Sequence, residues 1–524
     1  MIRISQLRVK PGSDMEHIKE KAAGILGVGK GALLDLQILK RSMDARNKGN
    51  ITEVLTVILS LEDEDKVLSK CKSASVSRYE KISYTYPSHG TSPRDSRPVI
   101  AGYGPAGIFL AHALAHEGYR PLVYERGKRM EERVSDTERF FLSGVLDTGS
   151  NVQFGEGGAG TFSDGKLHTG IKDHEGRIEH ILKTFTEHGA PADILTDNAP
   201  HIGTDLLRHI IPSIRKETEA MGGEICFGRC VTDIFTDEDG RICGVELDHA
   251  ERVECTDLFL CIGHSARDTF GMLHERQIPM EAKAFAVGVR AEHDREMIDK
   301  ALHGDKASYK LTCHCRDGRG VYTFCMCPGG YVVNASSEEG GLAVNGMSYS
   351  GRSGDHSNAA IVCTVGPEDF ASYGDDVLSG MRMQQDLERR AFSECQGRIP
   401  YQRLGDLEAD RVSDAKLMEP MCKGAWGAGN IRNILPGYMV DDIIEGMHHF
   451  AGKIPGYDGE NVLLSAVESR TSSPVRILRE KESMESVGIP GLYPVGEGAG
   501  YAGGIISAAV DGLKAAEKYI GRYR

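Results

Sequence analysis

Apolar residues fall in short clusters along this chain, and their spacing predicts alternating strands and helices. Near the start, Ile2, Ile4 and Val9 mark a strand. Asp14 can cap a helix running to about Leu26, and Leu34–Lys40 and Ile51–Leu61 read as strands. Asp63–Cys71 then reads as a helix and Lys81–Tyr86 as a strand. The polar stretch 87–97, PSHGTSPRDSR, is rich in turn formers and predicts a linker.

A different pattern begins at Pro98. Val99, Ile100 and Ala101 form an apolar strand signal, a glycine turn follows, then a helix pattern and a second strand over Pro121–Tyr124. Segments Gly222–Val231, Asp233–Phe235 and Gly244–Asp248 predict a β-meander, and Asp257–Cys261 a strand returning to the first sheet. Many short strand signals fill residues 280–440. Near the end, Gly491–Val495 reads as a strand, Gly496–Gly500 as a turn and Gly503–Ile520 as a helix. The expected fold is α/β: a Rossmann-type dinucleotide domain, an inserted α+β substrate domain and an N-terminal ferredoxin-like α+β domain. The expected boundaries are 1–86, linker 87–97, 98–280 for the nucleotide domain, 281–440 for the inserted domain, and 441–524 for the closing part of the nucleotide domain.

Composition narrows the class. The 524 residues are 40% hydrophobic and 26% charged, ordinary for a globular protein. No uncharged apolar run reaches the roughly 18 residues that a membrane span needs. The first residues, MIRISQLRVKPGSD, lack the apolar core of a secretion signal, so a cytoplasmic protein with no membrane partner is expected. Thirteen scattered cysteines then read as reduced thiols. Residues 1–97 hold 17 Lys and Arg against 12 Asp and Glu, while the remainder holds 45 against 64. The acidic body disfavours nucleic acid as a partner, and the basic N-terminal piece keeps an RNA-binding alternative open.

Three glycine clusters carry the chemistry. In the first, Gly102 allows a tight turn, Gly104 a close approach to pyrophosphate and Gly107 the packing of helix on strand, while Glu125, 23 positions on, can bond ribose hydroxyls. The second, GEGGAGTFSDGK at 155–166, offers small residues including Gly158 and Gly160 for backbone approach to a flat ligand, with Ser163, Asp164 and Lys166 as polar contacts. The third, PVGEGAG at 494–500, sets Gly496 and Glu497 before a helix that starts near Gly503, Gly504 and Ile505.

Together these clusters resemble the FAD-binding domain of the glutathione-reductase-like superfamily. The run Gly104-Pro105-Ala106-Gly107 and the run Glu125-Arg126-Gly127 look like FAD sites. In that superfamily an acid closing the last strand binds the ribityl hydroxyls, and here Glu497 stands where Asp is usual. Gly263, after the strand at 257–261, occupies a position that abuts FAD in such proteins. More narrowly, GEGGAGTFSDGKL (155–167), GHSARDTF (263–270), KAFAVGVRAEH (283–293), YTFCMCPGGYVVNASSEEGGLAVNGMSYSGR (322–352) and YPVGEGAGYAGGI (493–505) resemble the bacterial family of uncharacterised FAD-dependent, or NAD(FAD)-utilising, dehydrogenases. The resemblance spans the whole chain. It implies FAD as cofactor and leaves the substrate open.

The expected function is an FAD-dependent oxidoreductase acting by two-electron transfer on a small organic substrate. No second strand–GxGxxG–helix unit appears, so NAD(P)H enters only as a donor docking transiently on the flavin face. Cys327, Cys325, His264 and Lys166 are the candidate proton-transfer or redox residues. A Cys325–Cys327 disulfide would close a small strained ring. With Cys313 and Cys315 the spacing is C-x-C-x9-C-x-C, which leaves a zinc-stabilised flavin sensor as an alternative, although no metal is assigned. Arg267 could bind an anion or pair with Asp268. Arg290, His293, Asn345 to Arg352, and the run ESRTSSP (468–474) are further polar candidates around the cavity.

Overall fold

The computed structural model describes residues 1–44, 51–94, 96–302 and 308–524. They divide into two compact units. One holds 1–85 with 166–202, and the other holds 86–165, 203–302 and 308–524.

In the first unit, an antiparallel sheet runs in the order Leu33–Asp44, Thr52–Leu61, Ile2–Val9, Val76–Arg78, with helices Met15–Leu26 and Glu64–Lys70 between strands in the βαββαβ order. Ile2 and Ile4 face the core, a bulge at Gln6 (φ 59°) resets the alternation, and Leu7 and Val9 face it again. Asp14 caps its helix by accepting from the His17 N–H at 2.8 Å. The last strand is Val76–Arg78, not Lys81–Tyr86. It takes the open edge beside Ile2–Ile4, whereas Ile82 lies against Gly176 and Tyr84 stacks on His180 at 4.6 Å. Residues 45–50, between two expected strands, lie outside the described residues.

The second unit is built on a five-stranded parallel sheet: Leu492–Pro494, Leu258–Leu260, Val99–Ala101, Leu122–Glu125, Glu224–Phe227. Helix Pro105–His116 links the third and fourth strands and packs closely on the final helix, Ile505–Arg522. A Cβ at Gly512 would lie 2.3 Å from the Ala106 carbonyl oxygen, so only glycine permits that approach. The meander is Val231–Thr236, Ile242–Leu247 and Glu251–Glu254. Glu224–Phe227, expected within the meander, instead forms the edge of the parallel sheet. Helix Thr204–Ala220 supplies the crossover that parallel pairing requires.

A seven-stranded sheet forms the other core: Thr312–His314, Gly320–Cys327, His356–Val365, Phe285–Asp294, Leu463–Glu468, Ile399–Arg403, Trp426–Ala428. Leu463–Glu468, expected in the closing part of the nucleotide domain, sits inside this sheet with all six residues buried, and helix Gly437–Ala451 packs on the same core. The chain therefore re-enters the parallel sheet after residue 468, not at 441. The stretch expected as a linker is bound to the C-terminal helix. Gly90 N–H donates to the Ile520 and Tyr523 carbonyls at 2.9 Å, and Arg97 Nε to the Arg120 carbonyl at 2.7 Å. Among the described residues no helix is long and apolar enough to cross a membrane.

Candidate functional site

The first glycine turn leaves the sheet at Ala101. Gly102 (φ 100°) donates to the Tyr124 carbonyl at 2.8 Å, and a Cβ there would lie 2.4 Å from the Cys261 carbonyl oxygen. Gly104 caps helix Pro105–His116, and Pro105 takes a first-turn position, where its missing N–H costs nothing. Glu125 is buried. Its Oε2 accepts from Tyr103 N–H at 2.7 Å, and its Oε1 from Gly127 and Gly155 N–H, each at 2.9 Å. A carboxylate has about four acceptor positions, so Oε2 keeps one for a ribose hydroxyl.

The second glycine segment is held from below by a group invisible to motif reading. Arg133, fully buried, donates to the carbonyls of Asn151 and Val152 at 2.9 Å and of Glu156 at 2.7 Å. Burial pushes its pKa down to about 9. Glu156 accepts from Met130 N–H and Arg215 Nε, each at 2.8 Å, and burial raises its pKa despite Arg215. So pinned, Gly158 meets Gly104: a Cβ on it would lie 2.9 Å from the Gly104 Cα, and one on Gly160 3.0 Å from Ile505. Ser163 folds onto its own loop, donating to the Gly160 carbonyl at 2.7 Å. Asp164 was expected to reach the cofactor. It is buried instead, accepting from the Ser348 hydroxyl and from Arg352 at 3.3 Å, and so fastens the 348–352 loop. Lys166 belongs to the other unit, where it bridges to His201.

The third cluster closes the site. Gly496 (φ 81°) donates to Asp511 at 2.8 Å, and Asp511 is itself gripped by Arg479 at 2.7 and 2.8 Å. A Cβ on Gly496 would lie 2.8 Å from the Ala106 Cβ, and one on Gly498 2.4 Å from the Gly263 carbonyl oxygen. Helix Ile505–Arg522 begins at Gly504 with no side-chain cap. A Cβ on Gly263 or Gly503 would meet nothing within 4 Å. Glu497 is half-buried and accepts no hydrogen bond from the described residues. Burial pushes its pKa up to about 7, opposed by the charge of Lys283. Two helix N-termini without side-chain caps, bare backbone beside them, a buried carboxylate at Glu125 with acceptor capacity to spare and a carboxyl at Glu497 with no hydrogen bond among the described residues fit FAD.

Other expected residues divide. His264 Nε2 bonds the Arg470 carbonyl at 3.0 Å. As a carbonyl only accepts, Nε2 carries the proton and Nδ1 is an acceptor. Burial, then Arg470, lowers its pKa to about 4, so it is neutral at pH 7. Arg267 does not pair with Asp268. It is buried, in a bidentate pair with Glu388 at 2.8 Å and an ion pair with Glu338, while Asp268 pairs with Arg126 at 3.0 Å. Arg126 also lies over the Phe154 ring at 4.5 Å. Arg470 grips Glu388 from its other side at 2.7 and 3.0 Å. Cys325 adopts φ 45° in a bulge. The Cys327 thiol is buried, donating to the Cys325 carbonyl at 3.3 Å and lying 3.9 Å from Arg290, which pairs with Glu468 at 2.9 Å. Cys315 bonds the Asp442 carbonyl. Among the described residues, no three of Cys313, Cys315, Cys325 and Cys327 gather as metal ligands. His293 is a core residue bonded to the Tyr457 carbonyl at 2.9 Å.

Residues 284–471 match the family model "FAD-dependent protein, C-terminal domain-like", and residues 1–60 match a domain of unknown function. An uncharacterised protein of Clostridium beijerinckii is 43% identical over 535 residues, covering 100% of this chain and 99% of that one. Among solved structures, the L-amino acid deaminase of Proteus myxofaciens, in complex with anthranilate, is 11% identical, covering 84% of this chain and 94% of that one at a TM-score of 0.33. A geranylgeranyl bacteriochlorophyll reductase-like protein of Thermoplasma acidophilum is 11% identical, covering 82% and 79% at 0.34. CtdE in complex with FAD is 10% identical, covering 80% and 82% at 0.30. At such values the relatives' reactions do not transfer.

Proposed function

For a chain that belongs to the family of the uncharacterised Clostridium beijerinckii protein and has FAD as its cofactor, we propose two-electron oxidoreduction of a small organic substrate, with NAD(P)H as a transiently docking donor. One observation carries the reading: Gly104, Gly158 and Gly496, from three distant segments, converge where helices Pro105–His116 and Ile505–Arg522 begin. Bound there, FAD supplies hydride chemistry that no side chain provides.

The chain supplies placement and charge. The N-terminus of Pro105–His116 receives the pyrophosphate, and Glu125 takes a ribose hydroxyl. Glu497 accepts from the ribityl chain, and the N-terminus of Ile505–Arg522 favours negative charge beside it. For proton transfer, neutral His264 offers its Nδ1 lone pair, and Glu497 titrates near neutrality. Cys327 is a poor choice because it is sealed beneath Arg290. The purified protein should bind FAD and show a flavin spectrum. Anaerobic titration with NADH and NADPH should then bleach it. Absence of flavin binding would overturn the cofactor assignment, and failure of both donors the nicotinamide part.

A further inference from the structure

Arg290, fully buried on the strand Phe285–Asp294, aims two amides that have no acceptor within the fold. Its Nε and Nη2 pair with the two Glu468 oxygens, each at 2.9 Å. Nη1 donates to the Cys325 carbonyl at 3.1 Å and to Asn358 Oδ1 at 2.8 Å, and Nη2 to Asn345 Oδ1 at 3.2 Å. All five guanidinium N–H groups are thereby bonded. The Gly346 N–H donates to the same Asn345 oxygen at 2.7 Å. These partners only donate, so each amide turns its oxygen to them and its NH2 group away. Neither NH2 group has an acceptor among the described residues. That of Asn358 is sealed, and Asn345 is half-buried. The cluster is therefore short of acceptors, a state that calls for a functional reason.

The surroundings decide what such donors can take. Strand register sets Phe324, Ala360 and Arg290 in one row, and Tyr322 and Val362 in the next, so all share one face of the seven-stranded sheet. There Ala286, Ala360 and Val362 form an apolar cluster, with the half-buried rings of Tyr322 and Phe324 against it. Glu468 matches the Arg290 charge. An anion would find no free cation here and would meet the Glu468 carboxylate. A neutral oxygen finds a donor with apolar ground beside it. The cluster also adjoins the cofactor cradle on two sides. Met347, two residues after Asn345, packs with Val152 and Phe162 of the second glycine segment. Ser473, five residues after Glu468, donates to the Gly498 carbonyl at 3.2 Å.

We propose that the Asn345 amide, aimed by Arg290, binds the carbonyl oxygen of a neutral, flat, largely apolar substrate. The proposal rests on the oxidoreductase reading and names a substrate class for it. Asn345 Nδ2 is the contact. Arg290 is a positioning residue, because each of its N–H groups is already bonded within the fold. Gly346 belongs to the same device. A Cβ there would lie 2.1 Å from Arg290 Nη1, so only glycine lets this strand rest on the guanidinium.

The test is calorimetric titration of the FAD-loaded protein with three probes: acetophenone, its anionic counterpart benzoate, and ethylbenzene, which lacks the oxygen. Acetophenone should bind about tenfold tighter than either. Asn345→Asp keeps the oxygen that Arg290 and Gly346 hold and puts an acceptor where the donor was. It should weaken acetophenone about tenfold or more and leave ethylbenzene binding and FAD affinity unchanged. Phe324→Ala should weaken acetophenone and ethylbenzene alike. If Asn345→Asp does not fold, Asn345→Ala takes its place. Equal wild-type affinity for acetophenone and ethylbenzene, a preference for benzoate, or unchanged acetophenone binding in the Asn345 variant would overturn the proposal. A loss of FAD affinity in that variant would overturn it too, since the amide would then serve a flavin carbonyl. A wild type that binds no FAD would overturn the cofactor reading instead, and the same titrations of apoprotein would decide the carbonyl site.

Discussion

Glu125 and Gly155 are joined by a hydrogen bond of 2.9 Å, from the Gly155 N–H to Oε1 of the carboxylate. The same oxygen holds Gly127, and its partner oxygen holds Tyr103, so one acid ties the first glycine turn to the second glycine loop. This acid joins two backbone segments, beside the ribose contact proposed for it.

Glu125→Ala should for that reason do more than weaken cofactor binding. It leaves three N–H groups without their acceptor, each costing about 1–3 kcal/mol when buried. A loss of about 3 kcal/mol in the apoprotein, read by urea unfolding, is expected. A variant with wild-type apoprotein stability would show that the acid serves the ribose alone.

Gly104→Ala separates the cofactor from the fold. A Cβ there would lie 3.7 Å from the Gly158 Cα, an ordinary contact, and the backbone is extended rather than left-handed. Apoprotein stability should change by less than about 1 kcal/mol, while FAD affinity drops about tenfold or more as the methyl group enters the pyrophosphate approach. Gly496→Ala should by contrast destabilise the apoprotein, because its Cβ meets Ala106 at 2.8 Å and its φ is 81°.

The Arg267–Glu388–Arg470 cluster joins the end of the parallel sheet to helix Ser379–Cys395. Burial opposes ionisation of Glu388, yet Arg267 and Arg470 hold its pKa far below the usual carboxylate range. Glu388→Gln leaves Arg470 without a carboxylate partner and Arg267 with Glu338 alone, and should cost about 3 kcal/mol, measured by thermal or denaturant unfolding. Its ionisation contributes stability that is complete above the ordinary carboxylate pKa and declines as pH falls below it.

His264 sets a second pH dependence. Its folded pKa of about 4 lies below the ordinary 6.5, so between these values the unfolded chain binds the proton and the folded chain does not. Stability should fall as pH drops from 6.5 toward 4, by about 2–3 kcal/mol from this group. His264→Gln should flatten that part of the profile in apoprotein melts.

The sequence alone determined the local devices, because their physics is local. The strand, the turn at Gly102–Gly107, the helix and Glu125 are specified by residues within thirty positions, as is the strand–turn–helix at Leu492–Arg522. Only the tertiary structure decided which segments share a sheet and which charges are buried together. Glu224–Phe227 was expected in the meander and lies in the parallel sheet, and Leu463–Glu468 found its partners outside its expected domain, since pairing depends on what edge lies alongside. Asp164 and Arg267 looked like ligand contacts, yet Ser348, Arg352 and Glu388, more than a hundred residues away, claimed them. Arg133 carried no signal at all. A charged residue reads as solvated until the fold seals it beneath a glycine loop.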